Sequence, residues 1–141
     1  MIELRVTMDD TDGILRLEEQ AIKKALTMIG ILASDDAADL AKVDTGLLRN
    51  SMTYALSGES PAKKSYRADR GDGSGSYSGT IGSKDEKAVY VGTNVEYAPY
   101  VEMGFRHYAS GKFIPAKNFL KNAVMNNRHE FQEIIKECLR G

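Results

Sequence analysis

Asp44-Thr45-Gly46 places a carboxylate on a tight turn. Two such carboxylates held side by side share one proton and activate water, and a chain this short would supply the second by homodimerising. Glu96, Glu102 and His107 form a second set, two carboxylates and an imidazole, which would bind a metal ion only if turn and loop brought them together. Lys63, Lys64, Arg67 and Arg70, interleaved with Tyr66 and Tyr77, have the composition of a single-strand nucleic-acid track. Glu59, Asp69 and Asp72 cancel much of that charge and point instead to a solvated arm. His107 and His129 have no neighbouring Ser or Cys with a third orienting group, and the loop glycines neither follow a strand nor lead into the Lys-Ser/Thr of a phosphate loop.

The segments around these groups decide among the readings. Asp-Thr-Gly is the tripeptide of aspartic proteases, where the loop is entered from a buried apolar strand that holds the carboxylates rigid. Here Asp44 follows Asp39-Leu40-Ala41-Lys42-Val43 and precedes Leu47-Leu48-Arg49, the pattern of a helix exit. Asp44 and Thr45 can turn side-chain oxygens back onto nearby backbone N–H groups, and Gly46 tolerates angles that other residues avoid. The tripeptide therefore reads as a capped corner joining a helix to a strand.

On the N-terminal side, Ile2, Leu4, Val6 and Met8 alternate with polar residues and predict a half-buried strand. Asp9, Asp10, Thr11 and Asp12 offer helix caps. From 13 to 40, Ile14, Leu17, Ala21, Ala25, Met28 and Leu32 recur at helical spacing, with Leu15, Ile22, Leu26, Ile29 and Ala33 widening the stripe to about half the circumference, more than one packing partner requires. Beyond the corner, 51–56 alternates as a strand. Residues 57–79 have the composition of a flexible loop or long hairpin arm. Thr80-Ile81-Gly82 and 88–93 flank a polar turn and predict a hairpin. Tyr97, Tyr100 and Val101, with Pro99 and a terminal Gly104, predict a short helix. Pro115 is expected to open a last helix, with Ala116, Phe119, Leu120, Ala123, Val124, Phe131, Ile134, Ile135, Cys138 and Leu139 on one face and Asn127 marking a polar contact or kink. Glu102 is expected to pair with Arg49 or Arg106, or to accept backbone N–H groups near Gly104.

Four pieces of this chain occur together in order: Val43-Asp44-Thr45-Gly46-Leu47-Leu48-Arg49-Asn50-Ser51; Tyr90-Val91-Gly92-Thr93; Tyr97-Ala98-Pro99-Tyr100-Val101-Glu102-Met103-Gly104; and Ile114-Pro115-Ala116-Lys117-Asn118-Phe119-Leu120. In that combination the chain, from about 10 to 125, resembles the HK97 gp10 family of tailed-bacteriophage proteins. The pattern positions are Asp44, Thr45, Gly46, Leu48, Arg49, Ser51, Tyr97, Ala98, Glu102, Gly104, Pro115 and Ala116. Phe105-Arg106-His107 departs from the family, whose members often carry Thr after the Glu-x-Gly. The resemblance implies a small virion component at the head-proximal end of the tail. It further implies a ring of six copies, with a tail terminator or tail tube protein on one side, the head-tail connector on the other and DNA passing through the lumen.

With 19 basic against 20 acidic residues, the formal net charge of -1 argues against a dedicated nucleic-acid binder and for protein partners. The single cysteine, Cys138, cannot form an intramolecular disulfide. No window approaches a membrane span and the N-terminus lacks a signal-peptide layout, so the expected setting is the host cytoplasm or a particle assembled there. The expected architecture is a single α+β domain: a small, mainly antiparallel sheet packed by a long N-terminal helix and a C-terminal helix, with the 57–79 arm between strands. No cofactor, metal or catalytic group is expected. Two other classes remain open: the homodimeric aspartic protease built on Asp44, and a free-standing protein-interaction module.

Overall fold

The computed structural model describes residues 2–7, 19–41, 46–106 and 110–139. The chain is an α+β protein. Strand β1 (Ile2–Thr7) is followed by helix α1 (Glu19–Leu40), the short helix α2 (Leu47–Ser51) and strand β2 (Thr53–Leu56). Strands β3 (Ser65–Arg67) and β4 (Ser74–Ser76) lie in the arm, and β5 (Ala88–Thr93) follows. Then come α3 (Ala98–Met103), β6 (Phe105–Arg106), β7 (Phe113–Ile114), α4 (Phe119–Met125) and α5 (Arg128–Leu139).

The main sheet has the order β1-β5-β2, antiparallel throughout, with the latest strand in the middle. Val6, Val89 and Leu56 form one cross-strand row; Leu4, Val91 and Tyr54 form the next. These rows face α1. Gly30 lets the helix press down on them, since a Cβ there would lie 2.8 Å from the Tyr54 ring and 2.9 Å from a Val89 methyl. Ile22, Leu26, Ile29 and Ala33 of α1 join Val89 and Val91 in one core with Leu48, Phe119, Leu120 and Ala123. The second flank of the wide stripe packs on α4 and α5. Even so, Met28 and Ile31 stay 42% and 45% exposed.

Four expectations are corrected by the fold. The corner does not join α1 directly to a strand: α2 intervenes, Ser51 belongs to it, and β2 begins at Thr53. Residues 80–82 do not form a hairpin with 88–93. The partners of β5 are β1 and β2, and Ile81 instead makes an isolated bridge to Glu59. Gly79 before this run and Gly82 at its end both sit at positive φ, which breaks an extended strand. Pro115 does not open the last helix. The helix starts at Phe119 after Asn118 in a left-handed conformation (φ 48°), because the Lys117 and Asn118 N–H groups bond to Val101 and Glu102 carbonyls of α3 at 2.9 and 3.0 Å. Finally, the C-terminal helix is two helices. As expected, Asn127 marks the break, donating to Asp36 of α1 and to the Ala123 carbonyl. Met8, the expected caps at 9–12 and the expected helical stretch 13–18 lie outside the described residues.

On the opposite face of the sheet, Tyr90 donates to Glu86 at 2.7 Å, and Arg5 bonds the same carboxylate at 2.8 Å. The Tyr90 hydroxyl, then the Arg5 guanidinium and the Ser57 hydroxyl, hold the Glu86 carboxyl below the ordinary carboxylate range. A lowered folded-state value contributes stability above the ordinary range and loses it as pH falls through the lowered one. Tyr90→Phe is therefore expected to flatten the fall of Tm with pH below about pH 5, leaving the neutral-pH slope unchanged; thermal melts from pH 7 to 3 measure it.

Candidate functional site

Two of the resembling pieces meet through a buried relay. Ser51 Oγ donates to the Leu48 carbonyl at 2.7 Å and lies 2.6 Å from Thr93 Oγ1, which accepts the Val95 N–H at 3.1 Å. Each hydroxyl has one proton, so the direction is settled: Val95 N–H to Thr93, Thr93 to Ser51, Ser51 to Leu48. Both side chains are fully buried, and both hydroxyls are hydrogen-bonded. Val-Gly-Thr is thereby fastened to Leu-Arg-Asn-Ser.

The other two pieces meet at Glu102. Its side chain is buried on α3, and its two carboxylate oxygens accept the Leu120 N–H at 2.8 Å and the Lys121 N–H at 3.2 Å. The first N–H groups of a helix have no intrahelical partner, and a carboxylate there also opposes the positive end of the helix dipole. Glu102 thus caps α4 from a neighbouring helix. The expected ion pair with Arg49 or Arg106 is not made. Arg49 pairs with Asp69, and Arg106 donates to the Gly111 carbonyl at 2.7 Å. Each carboxylate oxygen accepts one of these amides; His107 lies outside the described residues, and among those described no cluster of His, Cys, Asp and Glu could hold a metal.

Asp44 and Thr45 also lie outside the described residues. Gly46 is described, at φ 77°, immediately before α2. A Cβ there would collide with the Asp69 carboxylate of the arm, which accepts from Arg49 and, at 3.0 Å, from Asn50. The 57–79 segment is accordingly not structureless. β3 and β4 pair as a hairpin, its tyrosines reaching back to the body. Tyr66 donates to Asn94 at 2.5 Å and Tyr77 donates to the Ser51 carbonyl at 2.6 Å; the rings lie 5.5 Å apart. Burial pushes both phenols up, and they act as donors.

Asp69→Ala is expected to loosen this arm with little cost to the whole. The pair is exposed and worth under about 1 kcal/mol. Trypsin cleavage after Arg67 or Arg70 should quicken several-fold while Tm stays within a few degrees, as timed gel digestion and thermal melts would show.

The remaining pattern residues surround a surface. Ala98 is fully buried, and Gly104 ends α3 at φ 81°, its N–H bonded to Tyr100 at 2.8 Å. Tyr97, Pro115 and Ala116 are exposed. Between them Tyr100 (59% exposed), Met103 (66%) and Phe113 (60%) stand in solvent beside Phe105 and Ile114. Tyr100 meets Phe105 edge-on at 6.0 Å, Phe105 pairs with Ile114 across β6-β7, and Phe113 closes over Gly104. These exposed apolar side chains at the end of α3 and on the β6-β7 hairpin are the candidate functional site. Such patches mark contact surfaces more often than catalytic ones. Sequence reading missed Met103, Phe113 and Ile114 because no local period joins a helix end to a short hairpin. Elsewhere, a cleft of about 610 Å³ between α1 and 84–88 is lined by charges, two of which pair off as Lys23 and Glu59 at 3.3 Å.

No protein family, curated protein or solved structure matches this chain in comparison. Among the described residues no helix is long and apolar enough to cross a membrane.

Proposed function

We propose that this chain is a structural virion protein of a tailed phage or prophage, completing the head-proximal end of the tail and joining it to the neck. Copies assemble in the host cytoplasm into a ring, six in number by the resemblance, around the passage for DNA. One ring face meets the tail terminator or tail tube protein and the other the head-tail connector. Its work is assembly, and no catalytic step is assigned to it.

The observation that carries this reading is where the resembling residues fall. Ser51 and Glu102 are buried and join the pieces in two pairs, Leu48 and Ala98 are buried in the core, and Tyr97, Gly104, Pro115 and Ala116 frame an exposed apolar face. A pattern of that kind supports a scaffold that presents a contact surface. Tails purified from the same particle without this component test it. Added protein is expected to bind one tail end, seen by negative-stain microscopy as extra density at the head-proximal tip. Binding along the whole tube, or none at either end, would contradict it.

A further inference from the structure

Two exposed faces of the chain complement each other in both apolarity and charge order. On α1, Lys24, Met28, Ile31, Asp35 and Asp39 recur at helical spacing on one side and are all exposed, a stripe about 22 Å long that runs base, apolar, acid. Along the chain, the face on α3 and the β6-β7 hairpin carries the opposite order. Glu96 precedes it, Tyr97, Tyr100, Met103 and Phe113 form its middle, and exposed Arg106 and Lys112 stand at the hairpin end. Singly exposed apolar residues are ordinary, but two contiguous sets with opposite charge order are not.

We propose that the Met28-Ile31 face of α1 docks on the Tyr100-Met103-Phe113 face of a second copy, head to tail. This rests on the ring reading above and names the surfaces that would build the ring. Acids at 35 and 39 meet Arg106 and Lys112, Lys24 meets Glu96, and the apolar middles exclude water between them. Charge order sets the direction, because the reversed pairing juxtaposes like charges. Since the two faces differ, each copy keeps one of each, and addition continues until rotation closes it.

The test uses two variants of the full chain, Ile31→Asp on one face and Met103→Asp on the other, both at exposed positions. Circular dichroism and Tm close to wild type certify folding, and the charge reversals Asp35→Lys and Lys112→Glu serve as a second pair. Light scattering is expected to give Ile31→Asp or Met103→Asp alone the mass of one chain, 15.5 kDa, and their equimolar mixture twice that, since one intact interface survives per pair; the two charge reversals, each weakened alone, should assemble further on mixing because the reversed charges attract. A variant that assembles as wild type does, or a mixture that stays at one chain, overturns the interface. If wild type forms rings in either case, the ring reading stands and only these surfaces are wrong. Wild-type protein that remains one chain, both free and on tails, overturns both.

Discussion

Replacing Glu102 by alanine is expected to destabilise the protein by about 2 to 3 kcal/mol, the sum of a lost helix cap and buried amides left without acceptors. The carboxylate accepts from Leu120 and Lys121, and the side chain is too buried for water to take its place. Glu102→Gln keeps one acceptor oxygen but turns an NH2 donor toward the second amide, so about half the loss is expected. Urea unfolding with an unchanged m-value measures both. Alanine and glutamine variants each within about 0.5 kcal/mol of wild type would remove Glu102 from the account of how α3 holds α4. The loss should also loosen the apolar face, because the 113–118 segment hangs from the same helix through Lys117 and Asn118.

Gly92→Ala is the other large effect, and its sign is diagnostic. Glycine in a strand interior ordinarily weakens the strand, so alanine would be neutral or stabilising at a permissive position. At Gly92 a Cβ would overlap the Ile2 carbonyl oxygen and lie 2.7 Å from the Glu3 Cα. The obstacle is backbone, and no rotamer change relieves it. Either β1 moves off β5 or the central strand bends, at a cost of about 3 kcal/mol. Hydrogen exchange should then show the β1 amides losing protection before those of β2. A variant as stable as wild type would mean that β1 does not lie against Gly92 as described. Because Gly92 belongs to the Val-Gly-Thr piece, its small size is explained by strand approach alone and requires no ligand.

Sequence legibility followed the range of each interaction. β1, α1, β2 and α3 were readable because alternation, helical spacing, Pro99 and Gly104 are local signals. The break at Asn127 was readable as a polar residue on an apolar face. Glu102 was recognisable as a fixing acceptor, but not what it fixes, because Leu120 lies eighteen positions on and nothing near either residue names the other. A hairpin was one of two readings of the arm, but its anchoring to the body was hidden for the same reason. Its composition is that of a loop, and its anchors, Asn50, Ser51 and Asn94, come from two other segments. The hairpin expected at 80–93 failed because β-prone residues on both sides of a turn say nothing of competitors, and β1 and β2 were better partners for β5. Pro115 misplaced the start of α4, since proline is as much at home in the extended connection that it occupies as in a first helical turn. Of the candidate site, the framing residues Tyr97, Gly104, Pro115 and Ala116 were named from sequence, and the exposed centre at Met103, Phe113 and Ile114 was not.

The central claim is that this chain works as a ring at the end of a tail. The most direct measurement is the mass of the purified protein by light scattering, alone and then mixed with tail tubes or the tail terminator of the same particle. A fixed multiple of 15.5 kDa, either free or on mixing, is the predicted result. A two-chain species indifferent to tails would contradict it, and would turn attention to Asp44 and an assay of peptidase activity.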